Sequence, residues 1–581
     1  MFRRDKEKDA MTTDTEPEKA TPPRASSPSS AHNHKDEEPK PADLKKQPTK
    51  DNPFGSAAGV DDADVVYPKG LKLVLIIVSL CISVFLVALD QTIIAPALGA
   101  ITSEYQSVGD IGWYGAAYLL TTTALQPVYG SLYRMFSVKY TFLTAIFLFE
   151  VGSLICAVAP NSEVFIFGRA LAGVGTAGLF SGGIVVISYT LPLRQRPAVF
   201  GLVGAMWGIA SVAGPLLGGA FTDHITWRWC FYINLPLGGA AMLAIFLVLH
   251  IKQKRNENLT VMQRILRLDL PGTAMLIPAV VCLLLALQWG GTEHPWNSSV
   301  IIGLFVGFGL MIIVFIGIQI WKGDQGTLPP RLFKNKDVVC AMLFCFFFGA
   351  GFFPLVYYIS LYFQAIQGDT AVQAGIKLLP MLIAVVITSV LSGGLITLVG
   401  YYNPFILPSM ALFAVGSGLI TTFQLDSPLR VWFGYQVVAG LGIGVGFQTG
   451  VLVVQNSVSH EWIPQATACV QFFQALGGAI FIAVAQAVFQ NGLTDGLAET
   501  APGLPAAIFI HSGANEIPQV LERLGASQLL TPVLTAYLDG LRNSFFITVA
   551  CACAAFAAAC GLSWKKIQKK KEGGDVAVAM A

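Results

Sequence analysis

The chain has 581 residues, 54% hydrophobic and only 12% charged, with a mean hydropathy of +0.61. Soluble domains carry about a quarter charged residues, so this composition excludes one and points to an all-α polytopic membrane protein. Thirty-seven cations against 35 acids leave a net charge of +2, too balanced for a nucleic-acid partner.

Residues 1–70 are rich in Lys, Glu, Asp, Pro and Ser. They cannot bury enough apolar surface to offset chain entropy and read as a disordered tail. Apolar runs then occur near 72–92, 113–133, 140–159, 164–190, 199–222, 230–250, 271–290 and 299–321. Six more lie near 338–364, 373–398, 403–424, 431–456, 465–489 and 542–563. Fourteen transmembrane helices place both termini on one side. The first run carries Asp90 in "VSLCISVFLVALDQTIIAPAL" (78–98). At ~1.5 Å per residue it stands about 27 Å along a helix from Lys72, in the outer third of a ~30 Å hydrocarbon core, just short of water. Glu150 in "FLFEVGS" and Arg169 are the other ionisable residues inside the first six helices. Such groups are expensive in lipid, so coupling or mutual pairing is expected of all three.

The connections at 134–139, 191–198, 251–268 and 322–336 hold 13 cations, against Arg228, Lys377, Arg430 and Arg523 on the other side. The positive-inside rule puts the rich loops and both tails in the cytoplasm, with Lys565, Lys566, Lys569, Lys570 and Lys571 fixing the last third. The long connection 491–540 and the sequon at Asn297 are then external. "RALAGVGTAGLFSGGIVV" (169–186) aligns without a gap on "QVVAGLGIGVGFQTGVLV" (436–453), each the fourth helix of a set of six. Two six-helix halves in parallel repeat, 71–250 and 337–563, make the major facilitator architecture. Residues 251–336 supply a loop and an inserted helix pair, and 564–581 a basic tail.

The segments "LDQTIIAPAL" (89–98), "GSLYRMFSVKY" (130–140), "GRALAGVG" (168–175), "GLVGAMWGIASVAGPLLGGA" (201–220) and "WRWCFYINLP" (227–236) occur in order. Together they resemble the signatures of DHA2-type fourteen-helix drug:proton antiporters of the major facilitator superfamily. "LALQWGG" (285–291) and "YYISLYFQA" (357–365) are similar to fungal toxin and multidrug efflux pumps. The resemblance covers 72 to about 563. It implies proton coupling at Asp90, Arg169 and Glu150, and an antiporter motif at Gly201, Gly214, Pro215, Gly218 and Gly219. The motif's small residues bare a helix face for close approach, and Pro215 bends the helix. The chain departs from the family pattern at Ala210, where Gly is usual. It departs again in 130–140, where Arg134, Ser137 and Val138 replace an acid, a Gly and a base. Charge gating through that loop is not expected, and Arg134 reads as an inside-positive anchor.

The second half has Gln436 in the place of Arg169. Its amides and aromatics, among them Gln364, Gln448, Tyr358 and Phe447, suit a cavity for bulky, mostly apolar ligands. No Gly-Lys dipeptide exists, so no P-loop binds ATP. No Cys or His has metal-ligand spacing, and no cofactor is expected. The reading is a monomeric plasma-membrane carrier, not an enzyme, that exchanges protons for secondary metabolites, toxins or drugs. The alternatives are an importer or vacuolar carrier of siderophores or amino acids, and a transporter-like nutrient sensor.

Overall fold

The computed structural model describes residues 67–567 except 108–109, 252–260, 292, 503, 505–507 and 510–516. Nearly all of the 1–70 tail, Lys252, Lys254, Arg255 and the last lysine cluster beyond 567 lie outside the described residues.

Lipid offers the backbone no hydrogen-bond partner, so each apolar run satisfies itself as a helix. In chain order these are α1 Leu71–Thr92, α2 Ile94–Tyr105, α3 Ile111–Met135, α4 Val138–Val158, α5 Ser162–Thr190, α6 Arg196–His224, α7 Trp229–Tyr232 and α8 Asn234–Val248. The middle of the chain holds α9 Val261–Arg267, α10 Leu270–Trp289 and α11 Ser299–Lys322. The rest are α12 Lys336–Ala365, α13 Ala371–Lys377, α14 Leu379–Val399, α15 Asn403–Ile420, α16 Leu429–Ser457, α17 Ile463–Thr500, α18 Ile517–Arg523 and α19 Leu530–Cys560. Thirteen described stretches are long and apolar enough to cross a membrane, α7 and α8 forming one of them. The fourteenth is α3, whose 25 residues suffice in length but are diluted by Thr121, Thr122, Thr123, Gln126 and Arg134.

The repeat is visible in the packing. A Cβ on Gly152 would meet the Ala172 backbone at 2.3 Å, and one on Gly416 would meet Ala439 at 2.4 Å. A Cβ on Gly175 would likewise meet the Phe149 backbone at 2.4 Å, and one on Gly442 the Phe413 backbone at 2.2 Å. Even the exchanged residues keep one function. Arg169 Nε donates to the Tyr114 carbonyl (2.9 Å) and Gln436 Nε2 to the Lys377 carbonyl (3.0 Å).

Between the halves, α10 packs on α11, α3 and α17. Only Ile301, Phe315 and Gln319 of α11 are buried, so α11 presents nearly its whole surface to lipid. Asp269 ties the pair at its basic end. It caps α10 at Gly272 N (2.9 Å), and takes Gln319 Nε2 from α11 (2.5 Å) and Thr327 N from the following linker (3.1 Å).

The first apolar run, 72–92, is α1. Ile93 then interrupts the helix with α-helical angles (φ −69°, ψ −24°), and α2 carries the chain on to Tyr105. One expectation changes. The connection expected over 491–540 is mostly helix. α17 has 38 residues, ~57 Å at ~1.5 Å each, and overruns a ~30 Å core. Its projecting end packs on α19 through Gly492 against Gly540 and Gly496 against Ala536, leaving 501–529 as the connection.

Candidate functional site

Three levels of the bundle carry the residues singled out from sequence. At the first, Arg169 on α5 and Asp90 on α1 are 1% and 0% exposed. Arg169 Nη1 donates to Asp90 Oδ2 at 2.6 Å, and its guanidinium lies 4.4 Å from the centre of the Tyr118 ring. Gly168, beside Arg169, has no room for a side chain: a Cβ would meet Cys156 Sγ at 2.7 Å. The bare glycines of α5 thus press it on α3 and α4 and bring a long cation to a short acid. The second Asp90 oxygen accepts from Asn234 Nδ2 at 3.3 Å, and the same nitrogen donates to Ser153 Oγ at 3.1 Å. Asn234 comes from the "WRWCFYINLP" segment, whose Trp227 and Arg228 both hold Glu104 at 2.7 Å. That segment therefore closes one end of the half and supplies an amide to the buried acid.

Glu150 is 7% exposed, and neither of its carboxyl oxygens has a hydrogen-bond partner. It faces bare backbone: a Cβ on Gly238 would fall 1.5 Å from Glu150 Oε1. So the structure joins Asp90 and Arg169 and leaves Glu150 in the same half as an acid without a donor.

α6 adjoins this level with its glycines. A Cβ on Gly214 would meet Thr92 Oγ1 at 2.0 Å, and one on Gly218 the Ile93 carbonyl at 2.3 Å, at the interruption that follows Asp90. Thr92 Oγ1 also donates to the Ala210 carbonyl at 3.1 Å, so Ala in the place of Gly still serves the contact. Gly201, by contrast, faces the other half, where a Cβ would meet the Ser389 carbonyl at 2.6 Å. A Cβ on Gly219 would find nothing nearer than Val372 Cγ2 at 3.9 Å, and one on Gly375 would lie 3.8 Å from the Pro215 ring.

At the middle level the four residues read as a cavity do not converge. Phe447 stands against Trp207 of α6, with ring centres 6.1 Å apart. Gln448, the next residue, turns into a crevice of about 20 Å³ with Gly201, Ser389 and Gly393, its Oε1 without a partner. Tyr358 is packed on Phe489 of α17 at 6.1 Å, and Gln364 donates to Ser360 of its own helix at 3.1 Å. Both lie toward the far end of α12.

The third level, at the basic end, overturns the reading of Arg134 as a mere anchor. Its Nη2 reaches Glu461 Oε1 at 2.7 Å, and its Nη1 reaches Gln465 Oε1 at 2.9 Å and the Asp324 carbonyl at 3.0 Å. The guanidinium stacks 3.7 Å over Trp462. Arg194 donates to the Thr397 and Leu398 carbonyls at the end of α14 (3.0 and 2.8 Å), and Arg196 to Gln455 Oε1 at 3.0 Å. Apart from the Asp324 contact, which reaches the linker after the inserted pair, each of these crosses from one half to the other, so the structure is closed at this end. The residues missed from sequence are those that need a partner far along the chain: Trp207, Asn234, Glu461, Trp462 and Gln465.

Residues 80–482 match the family described as Major Facilitator Superfamily. The MFS-type efflux pump MFS1 of Arthroderma benhamiae is 46% identical over 89% of this chain and 96% of its own. The rubrofusarin-specific efflux pump aurT of Gibberella zeae is 44% identical over 86% and 91%. The efflux pump aflT of Aspergillus parasiticus is 43% identical over 87% and 98%. Among solved structures, the proton:xylose symporter XylE aligns over 85% of this chain and 98% of its own with a TM-score of 0.52. Its 14% identity speaks for the fold alone. A fourteen-helix bundle in two repeated halves, a buried ion pair and this likeness to fungal pumps agree: the chain belongs to the major facilitator superfamily, and is an efflux transporter rather than an enzyme.

Proposed function

We propose that the protein exports small apolar or amphipathic compounds across the plasma membrane in exchange for protons, with both termini in the cytoplasm. The observation that carries this is the fully buried Asp90–Arg169 pair, held at 2.6 Å in the half that also contains the unpartnered acid Glu150. A charge pair out of water is costly unless it is used or tightly compensated. Parting the two would remove the guanidinium that neutralises Asp90 and let a proton take its place; re-pairing would expel the proton. Glu150 lies near enough to serve as the neighbouring acid in that exchange. The glycine contacts of α6 at Thr92 and Ile93 then make the helix carrying Asp90 sensitive to movement of α6. Relatives named as efflux pumps, one of them for rubrofusarin, support export of secondary metabolites. The basic end, with Arg134, Arg194 and Arg196, is the cytoplasmic one on the positive-inside rule.

The test uses proteoliposomes holding the full chain, with an imposed pH difference as the sole energy source. The reading requires that the difference drives an apolar fluorescent compound against its gradient, and that the compound moves opposite to the protons. Co-movement with protons would instead make the protein an importer. In a background without native cysteines, an impermeant thiol reagent on intact cells should label Ser527→Cys and miss Lys334→Cys.

A further inference from the structure

We infer that Trp207 selects the cargo, and that the compounds it favours are flat aromatic molecules with a hydrogen-bond acceptor on the ring system, such as a ring carbonyl. The inference rests on the export reading above and adds the chemistry of what is exported.

Trp207 is half-buried on α6, and its indole Nε1 is shut off from solvent with no hydrogen-bond partner. A buried donor left unpaired bears the full desolvation cost of its N–H. Such a donor is the natural place for a ligand oxygen to complete. The rings paired with the indole come from the other half. Its centre is 6.1 Å from Phe447, 6.4 Å from Phe353 and 6.5 Å from Phe352. Phe447 is itself fixed edge-on by Phe348 at 5.4 Å and Phe352 at 4.9 Å, so α12 and α16 together present a stiff aromatic wall. Among the described residues, Trp207 is the ring of the first half that pairs with that wall.

A flat ring held between two others needs about 7–8 Å between their planes, twice the ~3.5–4 Å contact distance. Here the ring centres lie 6.1 to 6.5 Å apart and the planes are tilted by 38° to 72°, so no parallel slot is open in this conformation. Because Trp207 and Phe447 belong to opposite halves, any rocking that parts the halves at this depth widens the gap. A planar aromatic can then stack on Phe447 or Phe352 while the indole N–H meets its oxygen. No charged residue takes part in the cluster, which suits a neutral compound.

Anthraquinone and anthracene share one tricyclic frame and differ in two carbonyl oxygens, so they isolate the acceptor. Their binding is measured on the detergent-solubilised full chain, with thermal stability and gel-filtration profile recorded for each variant. Trp207→Phe keeps a ring but removes the N–H: anthraquinone affinity should fall about tenfold and anthracene affinity should not change. Trp207→Leu should weaken both. Unchanged anthraquinone affinity in Trp207→Phe overturns the inference. So does an equal loss for both probes, which would make Trp207 a packing residue, and so does a wild-type protein that binds neither. The proton-driven assay on the wild type decides the export reading separately: transport of other apolar compounds there leaves export standing when the Trp207 result is negative.

Discussion

Arg134 and Glu461 lie 327 positions apart in the chain, yet their charged groups meet at 2.7 Å across the two halves. Glu461 is 67% exposed, so the ion pair alone contributes at most about 1 kcal/mol. Arg134 also stacks on Trp462 and bonds to Gln465 and the Asp324 carbonyl, so removing it costs more than that pair. We expect Arg134→Ala to raise the population open at this end by about tenfold. Spin labels at positions 131 and 467 should report the longer distance. The exchange Arg134→Glu with Glu461→Arg should recover part of the closed population, whereas either change alone should not.

Gly218 and Gly219 are neighbours with opposite requirements. A Cβ at 218 would stand 2.3 Å from the Ile93 carbonyl, which is backbone and cannot swing away. At 219 the nearest atom is 3.9 Å off. Gly218→Ala should therefore lower stability by 2 kcal/mol or more, on the order of other overpacking changes. Gly219→Ala should stay within about 0.5 kcal/mol of wild type. Thermal unfolding in one detergent compares them directly.

Gly238→Ala would drive a methyl group onto Glu150, 1.5 Å from Oε1. The variant should lose thermal stability. Adding Glu150→Ala should restore it, because the colliding carboxyl is gone. Failure of that rescue would mean that Gly238 is required for another contact.

The lone charges of the first half were legible because a single acid or guanidinium in an apolar run has few inexpensive places to go. Asp90 and Arg169 meet as their chemistry and depth suggested. What was not legible there is α2: Ile93 keeps α-helical angles, so the rod runs on past Thr92 to Tyr105. The second half was harder. Its helices are apolar all round, so periodicity does not say which way a given side chain points. Tyr358 and Gln364 look like Phe447 in sequence, yet they point into the packing of α12 with α17 or back onto α12 itself. The partners of Arg134 were hidden for another reason: they sit in a short stretch, "HEWIPQ", that reads as an ordinary helix start. Asn234 carries no charge and opens a helix, so nothing marked it as a ligand of Asp90.

Proton exchange at Asp90 is tested most directly by Asp90→Asn in proteoliposomes. Removing one partner of a buried pair costs about 3–5 kcal/mol, so Arg169→Ala is expected to reduce folded protein as well as transport. Asp90→Asn keeps the shape and a hydrogen-bonding group beside Asn234 but leaves the Arg169 guanidinium buried without its counter-charge. Folded yield and gel-filtration profile are therefore recorded beside transport, and the assay is run at equal amounts of folded protein. With an imposed pH difference, the purified Asp90→Asn protein should fail to drive the exported compound against its gradient while still letting it equilibrate. Uphill transport at the wild-type rate in that variant would contradict the account, and Glu150 would then be the acid to examine.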